Sequence, residues 1–239
     1  MQRHSVWVRL SHWIITLTFF SLVFTGIEIL MVHPRLYWGE VGNDLTPALL
    51  ELPISRNYKH NGYDKRIAFF DDNKAIVSAS RTYRIFNQNG WGRSLHFLSA
   101  WLLVITGVLY LITGIFTGHF RKRILPTLRE ISPQAILRDF ITHIKSRPVA
   151  SSQYNLLQRL SYMFVIFFLF PLMIITGLTM SPAITAAVPF LLKIFGGMQS
   201  ARTVHFFASV TLELFLIVHF IMVILSGFKQ QLRAMTIGR

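Results

Sequence analysis

The sequence predicts an all-α integral membrane protein, a four-transmembrane-helix bundle with an extended outer loop that contains a small β-hairpin. Three observations lead to that class. The 239 residues are 52% hydrophobic and only 14% charged, with 21 Phe, which is too apolar for a soluble domain of this length. Four runs approach the roughly 20 apolar residues that a helix needs to cross a hydrocarbon layer about 30 Å thick. The basic residues flank those runs instead of gathering into one stripe.

The same composition excludes several chemistries. There is no cysteine, so disulfides, thiolate metal sites, iron–sulfur clusters and haem attached through C-x-x-C-H are all ruled out. A haem in this chain is held by histidine or methionine, non-covalently, as in a b-type cytochrome. The formal net charge of +14 could speak for nucleic acid, but its distribution around apolar segments is that of membrane topology.

The first span covers 13–31, with Glu28 as its one charged residue. Arg3 and Arg9 precede it, yet no A-x-A-like cleavage site follows, so the helix is expected to be retained. The segment 32–94, with nine basic and six acidic residues, is too long for a connector. Within it, alternation on both sides of a polar turn at 71–74 predicts a hairpin over 67–80. Tyr37, Trp38, Tyr58, Tyr63, Tyr83, Phe86 and Trp91 recur through it, as a cap over the bundle or a docking platform for an external protein. The second span covers 95–116 and the third 160–180, neither with any charged residue.

Between those two, the loop 119–158 carries Arg121, Lys122, Arg123, Arg129, Arg138, Lys145 and Arg147 against Glu130 and Asp139. Ser132-Pro133 reads as a helix start. Ile136, Leu137, Phe140, Ile141 and Ile144 then recur at helical spacing, which predicts an amphipathic interfacial helix. The segment 186–195 is apolar but too short to cross, and is expected on the outer surface. The fourth span covers 203–228, with Glu213 its one charge. Basic residues in the 119–158 loop and at both chain ends place these in the cytoplasm and the 32–94 loop outside.

Nine histidines are present, and topology sorts them. His205 and His219 lie fourteen positions apart in span four, nearly on one face, with a rise of roughly 21 Å. Ionisable side chains at such depth usually mark function. His12 begins span one on the inner side, and His96 begins span two on the outer side. Depth therefore pairs His96 with His205 and His12 with His219, as two bis-imidazole haems need. Such iron has no open position, so the pairs point to electron transfer and not to substrate binding. Gly26 and Gly107 fall at depths where each helix would make room for the haem that it does not ligate, or for close helix packing. Arg9, Arg93 and Arg202 each stand three residues before a candidate ligand, as partners for haem propionates or as interface anchors. His4, His33, His60 and His119 have no partner of matching depth. Glu213 could relay protons or pack through hydrogen bonds.

The RLSHW segment with His12, the LHF segment with His96 and the His205/His219 pair make the chain resemble the di-haem cytochrome b membrane subunits. These include the gamma subunit of formate dehydrogenase, the b-type cytochrome of nickel–iron hydrogenase and the cytochrome b of thiosulfate reductase. The resemblance covers roughly 1–31, 91–125 and 155–232, and it extends to a third span without histidine. It implies two haem b groups and exchange of electrons between membrane quinone, on the inner side, and a periplasmic catalytic subunit of molybdopterin or nickel–iron type. The extended 32–90 segment departs from formate dehydrogenase gamma and implies a partner of the sulfite-oxidase type. The expected protein is an electron-transfer subunit of an oxidoreductase complex in the bacterial inner membrane. Two other readings are a stand-alone quinone-linked oxidase, for example of superoxide, and a haem-free transporter or structural anchor. The outer loop argues against the first, and the scarcity of charge along the spans against the second.

Overall fold

Apolar runs in this chain become long helices, because only a helix satisfies every backbone group where water is absent. The computed structural model describes residues 4–43, 46–54, 89–127, 130–145 and 155–238. Four helices in it are long and apolar enough to cross a membrane. Their surfaces are inverted relative to a soluble protein. Leu17, Leu98 and Phe116 are exposed, whereas Thr18, Thr25, Glu28, Thr176, Thr179, Ser200 and Thr203 are at most 2% exposed. A lipid surround accounts for this, since outward apolar side chains cost nothing there and polar ones must find partners inside.

Helix α1 spans Val6–Val32, β1 Arg35–Leu36, β2 Leu50–Glu51 and α2 Asn89–Phe116. After a π turn at Phe120–Ile124, α3 spans Pro133–Lys145 and α4 Leu156–Phe164. A second π turn at Val165–Leu169 leads into α5, Phe170–Thr179, so the third span is continuous over Leu156–Thr179. Pro171 lies two residues past the end of that turn. It has no N–H to offer the carbonyl one turn back, and a wider turn takes up the defect. Two short helices follow, α6 at Pro182–Ala187 and α7 at Phe190–Phe195, in the segment too short to cross. Then come α8, Met198–Leu225, and α9, Phe228–Thr236.

Three helices begin ahead of the apolar spans expected from the sequence: α1 at Val6, α2 at Asn89 and α8 at Met198. Apolar runs understate helices whose first turns carry arginine, a residue whose long stem lets its charge reach water. The fourth span also ends at Leu225 and not at 228. Gly227, at φ +98°, breaks the helix, and Phe228 already belongs to α9. The hairpin expected over 67–80 lies outside the described residues, as do Tyr58, Tyr63, Tyr83 and Phe86. The small antiparallel sheet that is described pairs Arg35 with Glu51 and Leu36 with Leu50.

The chain divides into two compact units. The first comprises Met1–Thr16, Val104–Pro171 and Val210–Arg239. In it, Arg9 Nη1 donates to the Thr236 carbonyl at 2.7 Å and Trp13 Nε1 to the Met235 carbonyl at 2.9 Å, which fastens α9 to the start of α1. Phe120 folds back over Gly114, where any side chain would strike its ring, and meets Phe167 with centroids 5.2 Å apart. Asp139 on α3 accepts the Leu157 N–H at 2.8 Å, satisfying one of the free donors in the first turn of α4.

The second unit comprises Leu17–Leu103 and Leu172–Ser209. Here the segment after α1 is bolted to the start of α8. The Gly39 carbonyl accepts from the N–H groups of Gln199 (3.0 Å) and Ser200 (3.2 Å), two donors that the first turn of a helix leaves free. Gly39 N–H donates to Ser200 Oγ at 2.7 Å, Thr203 Oγ1 donates to the Tyr37 carbonyl at 2.6 Å, and Arg202 donates to the His33 carbonyl. Gly197, at φ +123°, allows this approach, because a Cβ there would overlap Gly39.

Candidate functional site

Each unit holds one of the two histidine pairs expected from depth. In the second unit, His96 on α2 and His205 on α8 face each other with ring centroids 6.4 Å apart and planes inclined by 59°. Each imidazole meets a threonine hydroxyl through its Nδ1 atom. Thr25 Oγ1 of α1 lies 2.9 Å from His96 Nδ1, and Thr176 Oγ1 of α5 lies 2.8 Å from His205 Nδ1. Both threonines are 0% exposed. Each is followed by a glycine that lies against the ring the threonine serves, where a Cβ would make ordinary van der Waals contact. A Cβ on Gly26 would lie 3.8 Å from His96 Cε1, and one on Gly177 would lie 3.7 Å from His205 Cε1.

At one end of this unit, His33 feels Arg202, Arg35 and Arg93 together, and its pKa is lowered first by burial and then by those three cations. Arg93 also lies over the Phe97 ring, 5.6 Å from its centroid. Three guanidinium groups that act together on one imidazole suit a ligand with carboxylate arms.

In the first unit, His12 on α1 and His219 on α8 lie close enough to act on each other electrostatically. His12 packs edge-on against Trp13 at 5.4 Å, and its Nδ1 is buried without a hydrogen-bond partner. His219 stacks on Phe215, with centroids 6.0 Å apart. Gly107 faces open space, with nothing within 4 Å of where its Cβ would be. A second basic cluster is present in this unit. Burial, Arg123 and Arg9 lower the pKa of His4, and burial, Arg123 and His4 lower that of His119. Arg9 also spends one N–H on α9. Trp7 adjoins both Tyr110 and His119, at 5.3 Å each.

The sequence reading missed Thr25, Thr176 and Gly177. Their signal is a Thr-Gly pair, but the pair recurs at Thr25-Gly26, Thr106-Gly107, Thr113-Gly114, Thr117-Gly118 and Thr176-Gly177, so it does not single out these positions by itself. The third span carries no histidine and so reads as idle, yet Thr176 and Gly177 both meet His205.

The donor set fits an iron that arrives with equatorial ligands of its own. Among the described residues, no group of three or more His, Asp or Glu side chains converges as a metal cage. Two imidazoles bound to one metal by bonds of about 2.0 Å, with about 1.1 Å from each nitrogen to its ring centre, have centroids roughly 6.2 Å apart. The His96–His205 centroids are 6.4 Å apart. A macrocycle supplying four ligands needs two more, and a pair of imidazoles is what each unit brings.

Fold and site together define a multi-pass membrane protein of the haem-binding, electron-transferring class. The sequence matches the family described as prokaryotic cytochrome b561 over residues 3–238, and the chain belongs to that family. It is similar to YedZ1 of Azospira oryzae, by name a subunit of a protein-methionine-sulfoxide reductase. The two are 34% identical over 141 residues, covering 57% of this chain and 68% of the relative. No solved structure matches the chain.

Proposed function

We propose that this protein is the membrane-anchoring di-haem subunit that connects the quinone pool to a periplasmic oxidoreductase. The observation that carries the reading is the His96–His205 pair, two buried imidazoles face to face at a metal-bridging separation. His12 and His219 would hold the second haem b. When bound, the two haems supply one-electron relay sites at two depths of the membrane. The chain does the rest. Its four histidines would hold the two haems, and iron held by two imidazoles would offer oxygen or substrate no place to bind. Gly26 and Gly177 lie against the rings of the outer pair, and Gly107 leaves open space in the other unit. Arg93 and Arg202 on one side, and Arg9 on the other, offer charge to propionates. With the basic loops in the cytoplasm, His96 and His205 face the periplasmic side and His12 and His219 the quinone side. The relative named as a reductase subunit favours a periplasmic reductase as partner, with electrons running outward from quinol.

A haem count on the purified full chain, with a reduced-minus-oxidised spectrum, tests this. Two b-type haems are expected in the wild type, and one in His205→Ala. Absence of b-type bands overturns the function, and a His205→Ala protein that still holds two haems overturns the ligand assignment.

A further inference from the structure

The outer histidine pair has an unusual arrangement of hydrogen. A threonine hydroxyl has one proton and two acceptor lone pairs. Thr25 Oγ1 donates to the Ser21 carbonyl at 2.7 Å, one turn back along α1. Thr176 Oγ1 donates to the Leu172 carbonyl at 2.7 Å, one turn back along α5. With that proton committed, each hydroxyl can only accept from the imidazole beside it. His96 Nδ1, at 2.9 Å from Thr25, and His205 Nδ1, at 2.8 Å from Thr176, must therefore carry hydrogen. A neutral imidazole protonated at Nδ1 leaves Nε2 as the lone-pair nitrogen. Both rings are thus held in the tautomer that binds a metal through Nε2, and both Nδ1–H groups are donated to oxygen.

Each ring also has a backbone carbonyl as partner, Leu22 for His96 and Met173 for His205, and a carbonyl can only accept, so it favours hydrogen on the ring in the same sense as the hydroxyl. The two threonines are fully buried, so water does not compete for their oxygens. The first unit differs, because His12 Nδ1 is buried without a partner. A ligating imidazole that donates its second N–H is more basic, and a more basic ligand favours the ferric state.

Resting on the di-haem reading above, we propose that Thr25 and Thr176 are positioning residues that fix the tautomer and ring orientation of His96 and His205. They thereby lower the reduction potential of the outer haem relative to the same ligands without hydrogen bonds. The two redox centres of one chain are then tuned separately, the outer by a hydroxyl on α1 and a hydroxyl on α5.

The test is a redox titration of full-length wild type, Thr25→Val, Thr176→Val and the corresponding serine variants, each with its haem count. Valine keeps the β-branched shape and removes the hydroxyl. Each valine variant is expected to keep two haems, raise the midpoint of one and leave the other unchanged. A tenfold change in the ferric-to-ferrous affinity ratio, the lower end of what such outer partners contribute, corresponds to about 59 mV for a one-electron couple. Serine is expected to restore the wild-type value. Two haems with both midpoints unmoved in the valine variants overturn the proposal, and so does a shift that serine fails to reverse. If a valine variant does not accumulate, electron–nuclear double resonance on wild type in H2O and D2O decides. Exchangeable, hydrogen-bonded Nδ1 protons on both outer ligands support the proposal, and their absence overturns it. A wild type without two haems is a different result, since it removes the di-haem reading itself.

Discussion

Replacing Gly197 with alanine is expected to unfasten the start of α8. At φ +123° the backbone of Gly197 is in a region that costs an L-residue about 1–2 kcal/mol. The new Cβ would overlap the Gly39 carbonyl and stand 2.6 Å from Glu40 N. These are backbone atoms, which cannot rotate aside as a side chain can. Relief requires Gly39 to withdraw, which breaks its bonds to Gln199 N–H, Ser200 N–H and Ser200 Oγ. At about 1 kcal/mol for each bond, the total cost is about 4–5 kcal/mol. Gly196 provides the control. It too has positive φ, +68°, but nothing lies within 4 Å of its Cβ position, so Gly196→Ala carries only the backbone strain, about 1 kcal/mol. Thermal unfolding of both variants in the same detergent, followed by far-ultraviolet circular dichroism, compares them directly. Equal losses for the two would refute the bolt between Gly39 and α8.

Two further outcomes follow from the first unit. Arg9→Met removes a charge-assisted bond to α9 worth about 1.5–3 kcal/mol, and Trp13→Phe a neutral one worth about 1 kcal/mol. Limited proteolysis should cut α9 faster in both, and faster in the arginine variant. His4 and His119 have pKa values lowered chiefly by burial and next by Arg123. For such groups the unfolded chain takes up protons first as pH falls below about 6.5. Stability should therefore be level above that pH and decline beneath it. Arg123→Gln should flatten the decline in a series of thermal midpoints from pH 8 to pH 5.

The membrane class and the number of spans were legible because hydrocarbon imposes one requirement, sustained apolar length, that composition displays directly. Helix starts were less legible. Arg9, Arg93 and Arg202 lie inside the first turns of α1, α2 and α8, where apolar runs alone end the helix too soon. The histidine pairs could be matched by depth because depth along a span is a linear function of position. The threonines could not. A hydroxyl on α5 reaches His205 only once two helices have rotated to face each other, and no spacing within one helix encodes that rotation. Gly26 could be singled out from its own helix, whereas Gly177 sits on a span without histidine, so nothing in that helix marks the ring it meets.

The clasp between Arg9, Trp13 and the carbonyls of Thr236 and Met235 has a consequence for the order of assembly. It joins positions 227 and 222 residues apart. At about 5–20 residues per second of synthesis, roughly 10–45 s separate the appearance of its two sides. Until then α1 waits with its first turns unclasped, and the unit that holds His12 and His219 is incomplete. The unit that holds His96 and His205 draws on nothing beyond Ser209 and is fully synthesised first. The two histidine pairs of one chain are therefore completed in sequence, His96 and His205 before His12 and His219.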